Sequence, residues 1–118
     1  MAEGMTPEEE RQMVSFGIVA SAGQARSLAF EALKAAKDHD FAHAEELLGE
    51  SEQAFLGAHD EQTKLLTKEC NGEHTPVDVL LIHAQDHLMT SMLAQELIRE
   101  IIALRAEVDE LRVQIAAE

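Results

Sequence analysis

Several residue types are scarce in this 118-residue chain, and their scarcity narrows the possible functions. It contains no tryptophan or tyrosine and only four phenylalanines, so a platform for stacking nucleic-acid bases or sugar rings is not expected. The single cysteine, Cys70, excludes an internal disulfide and fits a reducing compartment. Only two prolines interrupt the chain, which leaves room for long helices.

Positive charge is also scarce, with 9 lysines and arginines against 23 acidic residues and a formal net charge of −14. Nucleic-acid phosphates and anionic membrane surfaces repel such a chain, so neither is expected as a partner. No apolar run approaches the roughly 20 residues that span a bilayer. The stretch "MAEGMTPEEERQ" is acidic where a signal peptide would be basic. We therefore expect a cytoplasmic protein without membrane insertion.

Alanine, leucine and glutamate are abundant, and capping residues divide the chain into three helices. The predicted ranges, each opening on its N-cap, are Thr6 to about Lys37, Asp40 to about Glu69, and Thr75 to about Ile115. Pro7 and Pro76 lie in the first turns of the first and third helices, where proline is tolerated. We expect a single domain over residues 1–118, with residues 1–6 disordered. The fold class is all-α, an antiparallel three-helix bundle.

Two glycines, Gly17 and Gly23, lie inside the first predicted helix. Each costs up to about 1 kcal/mol relative to alanine. Either the helix tolerates them, or the missing Cβ atoms let another element approach closely. The sequence alone leaves both interpretations open.

The third predicted helix is too long for a chain of this size to cover. Its later half is a heptad series formed by Leu97, Ile101, Leu104, Val108, Leu111 and Ile115. Such a seam is typical of helices that pack against copies of themselves. We expect a small symmetric oligomer, with residues 108–118 as a C-terminal helical extension. A solvated helix end that frays is the alternative.

The stretch "HAQDHLMT", residues 83–90, carries the candidate chemistry. Continuing the heptad backward predicts that His83 and His87 lie on the packing seam, and Asp86 shares with them an arc roughly 100° wide. One interpretation is a pair of core histidines with satisfied hydrogen bonds. A second is zinc, because H-x-x-D-H is similar to the H-x-x-E-H of inverzincins. However, the chain offers no clear third ligand and no room for a protease cleft.

A third interpretation is nucleophilic catalysis, because neutral imidazole attacks phosphoryl groups readily near neutral pH. A phosphoryl carrier needs one such histidine, a few donors for the phosphate oxygens and access for its protein partners. It needs no nucleotide site of its own, and the sequence has no G-x-x-x-x-G-K-[ST] or G-x-G-x-x-G motif. A small, non-aromatic helical bundle is sufficient for that task.

The same residues resemble a known family. "VLLIHAQDHLMTSMLAQELIREIIAL" resembles the third helix of the lactose/cellobiose (chitobiose) class of enzyme IIA components of the phosphoenolpyruvate-dependent sugar phosphotransferase system. "SAGQARSLAFEALKAAKDHDFAHAEELL" resembles the end of the first helix and the start of the second. The resemblance covers about residues 13–107, and "GQARS" and "HAQDHLMTSML" lean toward the cellobiose/chitobiose branch.

The resemblance implies a homotrimer whose third helices pack around a threefold axis. It implies that His83 is phosphorylated on Nε2 by the phosphohistidine of HPr. The phosphoryl group then passes to a cysteine of the sugar-specific IIB component, while the membrane IIC component imports a disaccharide of the cellobiose, chitobiose or lactose type. The chain would thus be a phosphotransferase component. The alternative is a structural or regulatory helical trimer without phosphotransfer.

The resemblance also implies a metal position. Asp86 would face the trimer axis, where three copies share a cation, usually magnesium. Three carboxylates meeting on an axis repel one another, and burial raises that cost. A shared divalent ion relieves the repulsion, and a shared proton would do so too.

The remaining site expectations concern the surroundings of His83. We expect His87 to donate to phosphate oxygens or to tune His83. Gln85 lies about 200° from His83 around the helix and is expected to touch a neighbouring subunit. Gly23 and Gln24 are expected to line the pocket of the histidine.

Overall fold

A computed structural model of the protein describes residues 4–118 and consists of three helices. Helix α1 spans Pro7–Lys37, α2 spans Phe41–Cys70 and α3 spans Val79–Ala117. Residues 4–118 contain no strand, which confirms the all-α prediction. The predicted disorder of residues 1–6 falls partly on Met1–Glu3, which lie outside the described residues. Within the described range, no helix has the length and apolar character needed to cross a membrane.

The first two helices begin at the predicted caps. Thr6 Oγ1 accepts a hydrogen bond from the Glu9 backbone N–H at 3.1 Å. Asp40 Oδ1 accepts one from the His43 backbone N–H at 3.2 Å. Each bond satisfies one of the backbone donors that a helix N-terminus leaves free.

Left-handed residues end α1 and α2. His39 has φ +63° and Gly72 has φ +82°, which is the conformation that stops a helix and turns the chain. After α1, the Asp40 backbone N–H donates a hydrogen bond to the Ala35 carbonyl at 2.9 Å, which satisfies a carbonyl of the last turn. These short joints allow neighbouring helices to run antiparallel, as predicted.

The start of α3 differs from the prediction. Thr75 does not cap it; Asp78 does, and its Oδ1 accepts from the Leu81 backbone N–H at 2.8 Å. Asp78 is extended (φ −133°, ψ 174°), as an N-cap should be. Aspartate caps a helix at least as well as threonine. Of the two candidate caps, Asp78 lies directly before the first helical residue, Val79, and it begins the helix.

Helix α1 packs against both other helices, and α2 and α3 contact each other less extensively. The buried face of α1 consists largely of alanines: Ala22, Ala25, Ala29, Ala32, Ala35 and Ala36. Small side chains bring helix axes close together. Larger residues fill the remaining space, among them Ile18, Leu48 and Leu88, each at most 1% exposed.

A row of exposed apolar side chains runs along the side of α3 that faces away from α1. This outer stripe consists of Ile82, Met89, Leu93, Leu97, Ile101, Leu104, Val108, Leu111 and Ile115. The predicted heptad therefore forms a surface seam in the later half of the helix. Its backward extension through His83 and His87 was wrong, because the stripe continues through Ile82 and Met89.

The shift has a simple geometric cause. From Met89 to Leu93, Leu97 and Ile101 the exposed apolar residues advance by four residues at each step. A strict heptad alternates three and four, whereas an undistorted helix needs 3.6 residues per turn. Because several successive steps are four residues long, the stripe lies one residue away from the predicted seam. Asp86 then occupies the stripe position between Ile82 and Met89.

Candidate functional site

Two histidines lie one turn apart near the start of α3. The ring centroids of His83 and His87 are 5.6 Å apart and the rings are stacked with an interplanar angle of 28°. His83 is exposed and His87 is half-buried. Ala84 and Leu88, on the adjacent face, are buried against the bundle. The helix therefore presents one imidazole to solvent and a second one beside it, as residues four apart permit.

Asp86 is the charged neighbour of the exposed histidine. Its Oδ1 lies 3.3 Å from His83 Nδ1, and both side chains are more than half exposed. A carboxylate beside Nδ1 favours the tautomer that carries its proton there, which leaves the lone pair on Nε2. Neutral imidazole with a free Nε2 is a nucleophile. The pair thus has the arrangement that attack on a phosphoryl group requires.

Gly23 of α1 makes room for the second histidine. A Cβ at this position would lie 3.3 Å from His87 Nε2, closer than most Cβ contacts in proteins. A Cβ at Gly17 would meet nothing within 4 Å in the described structure. The close-approach interpretation therefore holds for Gly23 within a single chain, and Gly17 is tolerated there.

The Gln85 side chain points toward α2 of its own chain. Gln62 Nε2, on α2, donates a hydrogen bond to Gln85 Oε1, and Gln85 is half-buried. Gln85 therefore has a partner within its own chain, and the expected contact with a neighbouring subunit stays a prediction. The position about 200° from His83 faces α2, because α1 and α2 together cover that side of α3. The bond ties α2 to α3 directly behind the histidines.

Gln24 does not join the histidines within one chain. Its side chain is exposed and lines a groove between α1 and α2, together with Leu28, Gly49 and Gln53. Gly23 and Gln24 are adjacent in sequence, but successive helix residues point about 100° apart. Only Gly23 therefore faces α3.

Sequence reasoning did not identify Gln62. It lies one turn beyond the buried Ala58 on the inner face of α2, where a polar side chain needs a hydrogen-bond partner. That position was the signal available in the sequence. Which residue is the partner depends on how α2 and α3 align. Local sequence patterns carry no information about that alignment.

Within residues 4–118 of one chain, no three histidine, cysteine or acidic side chains are grouped so that they could hold a metal ion. The zinc interpretation of His83 and His87 therefore lacks a third ligand among these described residues. Asp86 supplies one carboxylate. An oxygen-ligated cation at Asp86 would therefore need further ligands, such as waters or the carboxylates of other chains.

Comparison with protein families gives one match that covers most of the chain. The family model described as "PTS system, Lactose/Cellobiose specific IIA subunit" matches residues 13–106. The N,N'-diacetylchitobiose-specific EIIA component of Escherichia coli K12 is 50% identical over 99 residues, covering 84% of this chain and 85% of that protein. The lactose-specific EIIA component of Staphylococcus epidermidis is 46% identical over 96 residues, covering 81% and 92%.

Solved structures give the same result for the fold. The cellobiose-specific enzyme IIA of Bacillus anthracis superposes with a TM-score of 0.82 at 40% identity, covering 90% of this chain and 94% of that one. The chitobiose IIA chain from its complex with HPr, from Escherichia coli, superposes with a TM-score of 0.71 at 46% identity, covering 82% and 94%. The three-helix arrangement is therefore that of solved IIA structures.

Proposed function

The chain belongs to the lactose/cellobiose-specific IIA family of the sugar phosphotransferase system, and we propose that His83 carries its phosphoryl group. Proteins of this family are phosphocarriers, so the chain is a phosphotransferase component. The observation that supports His83 is its contact with Asp86: Nδ1 faces the carboxylate at 3.3 Å, which leaves Nε2 of an exposed ring as the nucleophile.

The proposed transfer has two steps. In the first, Nε2 of His83 attacks the phosphohistidine of HPr; the N–P bond on HPr breaks as a new N–P bond forms. In the second, a cysteine thiolate of the IIB component attacks the same phosphorus, so that an S–P bond replaces the N–P bond and His83 is regenerated. HPr as donor is supported by the chitobiose relative solved in complex with it. The IIB step accompanies disaccharide import through membrane-bound IIC, which places this chain in the cytoplasm.

Three neighbours of His83 have supporting parts in this proposal. His87, whose ring is stacked at 5.6 Å, is near enough for its exposed edge to donate to a phosphate oxygen. Gly23 leaves room for His87, because a Cβ at this position would lie 3.3 Å from His87 Nε2. Gln85 holds α3 against α2 through Gln62. Gln24 could enter the pocket only from a neighbouring chain.

We also propose that three copies assemble along the outer stripe. Exposed apolar surface of this length is unusual on a monomer and marks an interface. Asp86 is the one acidic position between Ile82 and Met89, so a threefold arrangement would bring three carboxylates together. Mg²⁺, which prefers oxygen ligands and retains several waters, suits three such groups. The proposal therefore includes a magnesium ion shared by the three Asp86 carboxylates.

Transfer of label tests the function and the residue together. The protein is mixed with enzyme I, HPr and radiolabelled phosphoenolpyruvate, beside His83→Ala, His87→Ala and, as a control, His59→Ala, an exposed α2 histidine. We expect acid-labile, base-stable label that is lost only in His83→Ala, whose assembly is unchanged. His87→Ala should be labelled more slowly.

The same partners must first phosphorylate a known chitobiose EIIA component, which shows that they are competent. If they do so and leave this protein unlabelled, it is a structural or regulatory trimer rather than a carrier. Label that persists in His83→Ala would place the phosphoryl group on another residue. Dissociation of His83→Ala would mean that His83 belongs to the core of the assembly.

A further inference from the structure

A cavity of about 480 Å³ lies at the end of the bundle where α1 and α3 begin and α2 ends. Such a volume is typical of small-molecule sites. Part of its wall is the segment between α2 and α3, residues 71–78, which is this long because α3 begins only at Val79. Leu81 of α3 also lines the cavity, whereas His83 points about 200° away around the helix. The cavity is therefore separate from the histidine site.

The three helices give this cavity an apolar lining. Val14 of α1, Leu65 of α2 and Leu81 of α3 are each half-buried and line it. Val14 and Leu65 also pack against the buried core, which holds them in place. Apolar groups of a ligand would be stabilised by leaving water for these side chains.

Charged side chains of both signs line the same cavity without forming ion pairs. Glu10 and Glu73 are acidic, and Arg11 and Lys68 are basic. None of the four takes part in an ion pair within residues 4–118. Glu10 is half-buried, and its Oε1 is buried without a hydrogen-bond partner in that range. A carboxylate that is partly removed from water and unpaired costs free energy, which a cationic group in the cavity would offset.

The segment between α2 and α3 adds backbone groups without backbone partners. Residues 73–76 line the cavity. In the described part of the chain, the backbone N–H groups of His74 and Thr75 donate to no backbone carbonyl, and the carbonyls of residues 73–76 accept from no backbone N–H. A ligand with amide groups of its own can pair with such groups, as peptides do when they bind along free backbone.

We propose that this cavity binds a dipeptide or tripeptide with apolar side chains. The N-terminal ammonium of the peptide pairs with the Glu10 carboxylate, and its C-terminal carboxylate pairs with Arg11 and Lys68. Its side chains cover the apolar lining. Unpaired charges of both signs select a zwitterion, and the free backbone groups select a peptide over a single amino acid. The inference goes beyond the proposed phosphotransfer and is independent of it.

Peptide titrations of the full-length protein test the assignment. Leucyl-leucine is added to isotope-labelled protein, and the amide signals of Val14, Leu65, His74 and Leu81 are followed by NMR. We expect saturable shifts at these amides. N-acetyl-leucyl-leucine lacks the ammonium, and leucyl-leucine amide lacks the carboxylate. Each should bind about tenfold more weakly or worse, because a hydrogen bond to a charged group is lost.

Three results would overturn the proposal. The first is the absence of saturable shifts up to millimolar leucyl-leucine. The second is equal or tighter binding of leucyl-leucine amide, which would reflect general attraction of cations to a chain with a net charge of −14. The third is equal binding of free leucine, which would show that the backbone groups of residues 73–76 play no part.

A pair of matched variants tests the role of Glu10. Glu10→Gln removes the proposed ammonium partner. Glu9→Gln is the control, because Glu9 is exposed, lies in the same part of α1 and does not line the cavity. Both remove one negative charge, so general attraction changes equally. Leucyl-leucine should bind about tenfold more weakly to Glu10→Gln and normally to Glu9→Gln. Equal affinities for the two variants would contradict the assignment, and the acetylated peptide tests the same contact in the unchanged protein.

Discussion

Replacing Gly23 by alanine tests whether α1 controls the histidine site. Two effects compete at this position. Alanine removes the helix penalty of glycine, which is about 1 kcal/mol in a helix interior. The new Cβ would also lie 3.3 Å from His87 Nε2, and crowding of this kind costs about 1 kcal/mol at the lower end of overpacking. The lower end applies because His87 is only half-buried and its ring can shift outward.

The two effects should therefore nearly cancel in Gly23→Ala. Gly17→Ala and Gly49→Ala are matched controls, because a Cβ meets nothing within 4 Å at either position in the described structure. Each control should gain about 1 kcal/mol, equivalent to a thermal midpoint about 4 °C higher for a domain of this size. Gly23→Ala should stay near the wild-type midpoint.

Phosphoryl transfer provides the second measurement. A shift of His87 changes its stacking with His83, so the rate of labelling from phospho-HPr should fall several-fold in Gly23→Ala. That loss is below the roughly 100-fold that a 1 Å misplacement can cost. Both controls should transfer at the wild-type rate. If Gly23→Ala is stabilised as much as the controls and transfers equally fast, the contact between α1 and His87 has no influence on the site.

Two further substitutions test the assembly and the helix start. Asp86→Leu should leave the assembly intact and abolish metal retention after desalting, because leucine joins the outer stripe between Ile82 and Met89 and removes the carboxylates. Dissociation, seen by light scattering, would show that the ion holds the chains together. Asp78→Ala should lower the free energy of unfolding by about 1 kcal/mol, the typical worth of an N-cap. Thr75→Ala should change the free energy of unfolding little. A larger loss in Thr75→Ala than in Asp78→Ala would show that Thr75 is the cap.

The sequence predicted most of the fold because its signals are local. The first two N-caps and the Asn-Gly end of α2 are each recognised from a few adjacent residues, and all were confirmed. The start of α3 was placed too early because Thr75 and Asp78 are both competent caps. Local preference alone did not distinguish them.

The candidate site was predicted less completely because it depends on how helices align. The nearness of His83, Asp86 and His87 follows from their spacing on one helix. The contact of Gln85 with Gln62 does not, because it joins residues of different helices. The seam was misplaced at the histidines for a related reason: a 3.5-residue repeat extrapolated over the two heptads from Leu97 to His83 rotates by about 40° against the 3.6-residue helix, which moves the extrapolated line toward one edge of the stripe.

That one-residue shift has a functional consequence. With the stripe passing through Asp86, assembly along α3 can bury Ile82 and Met89 while His83, on the edge of the stripe, stays open to a partner protein. In the proposed assembly Asp86 would belong to both surfaces: it would face the neighbouring chains, and its Oδ1 lies 3.3 Å from His83 Nδ1. The proposed assembly should therefore influence the nucleophile, because a cation held by Asp86 would compete with the His83 ring for the same carboxylate.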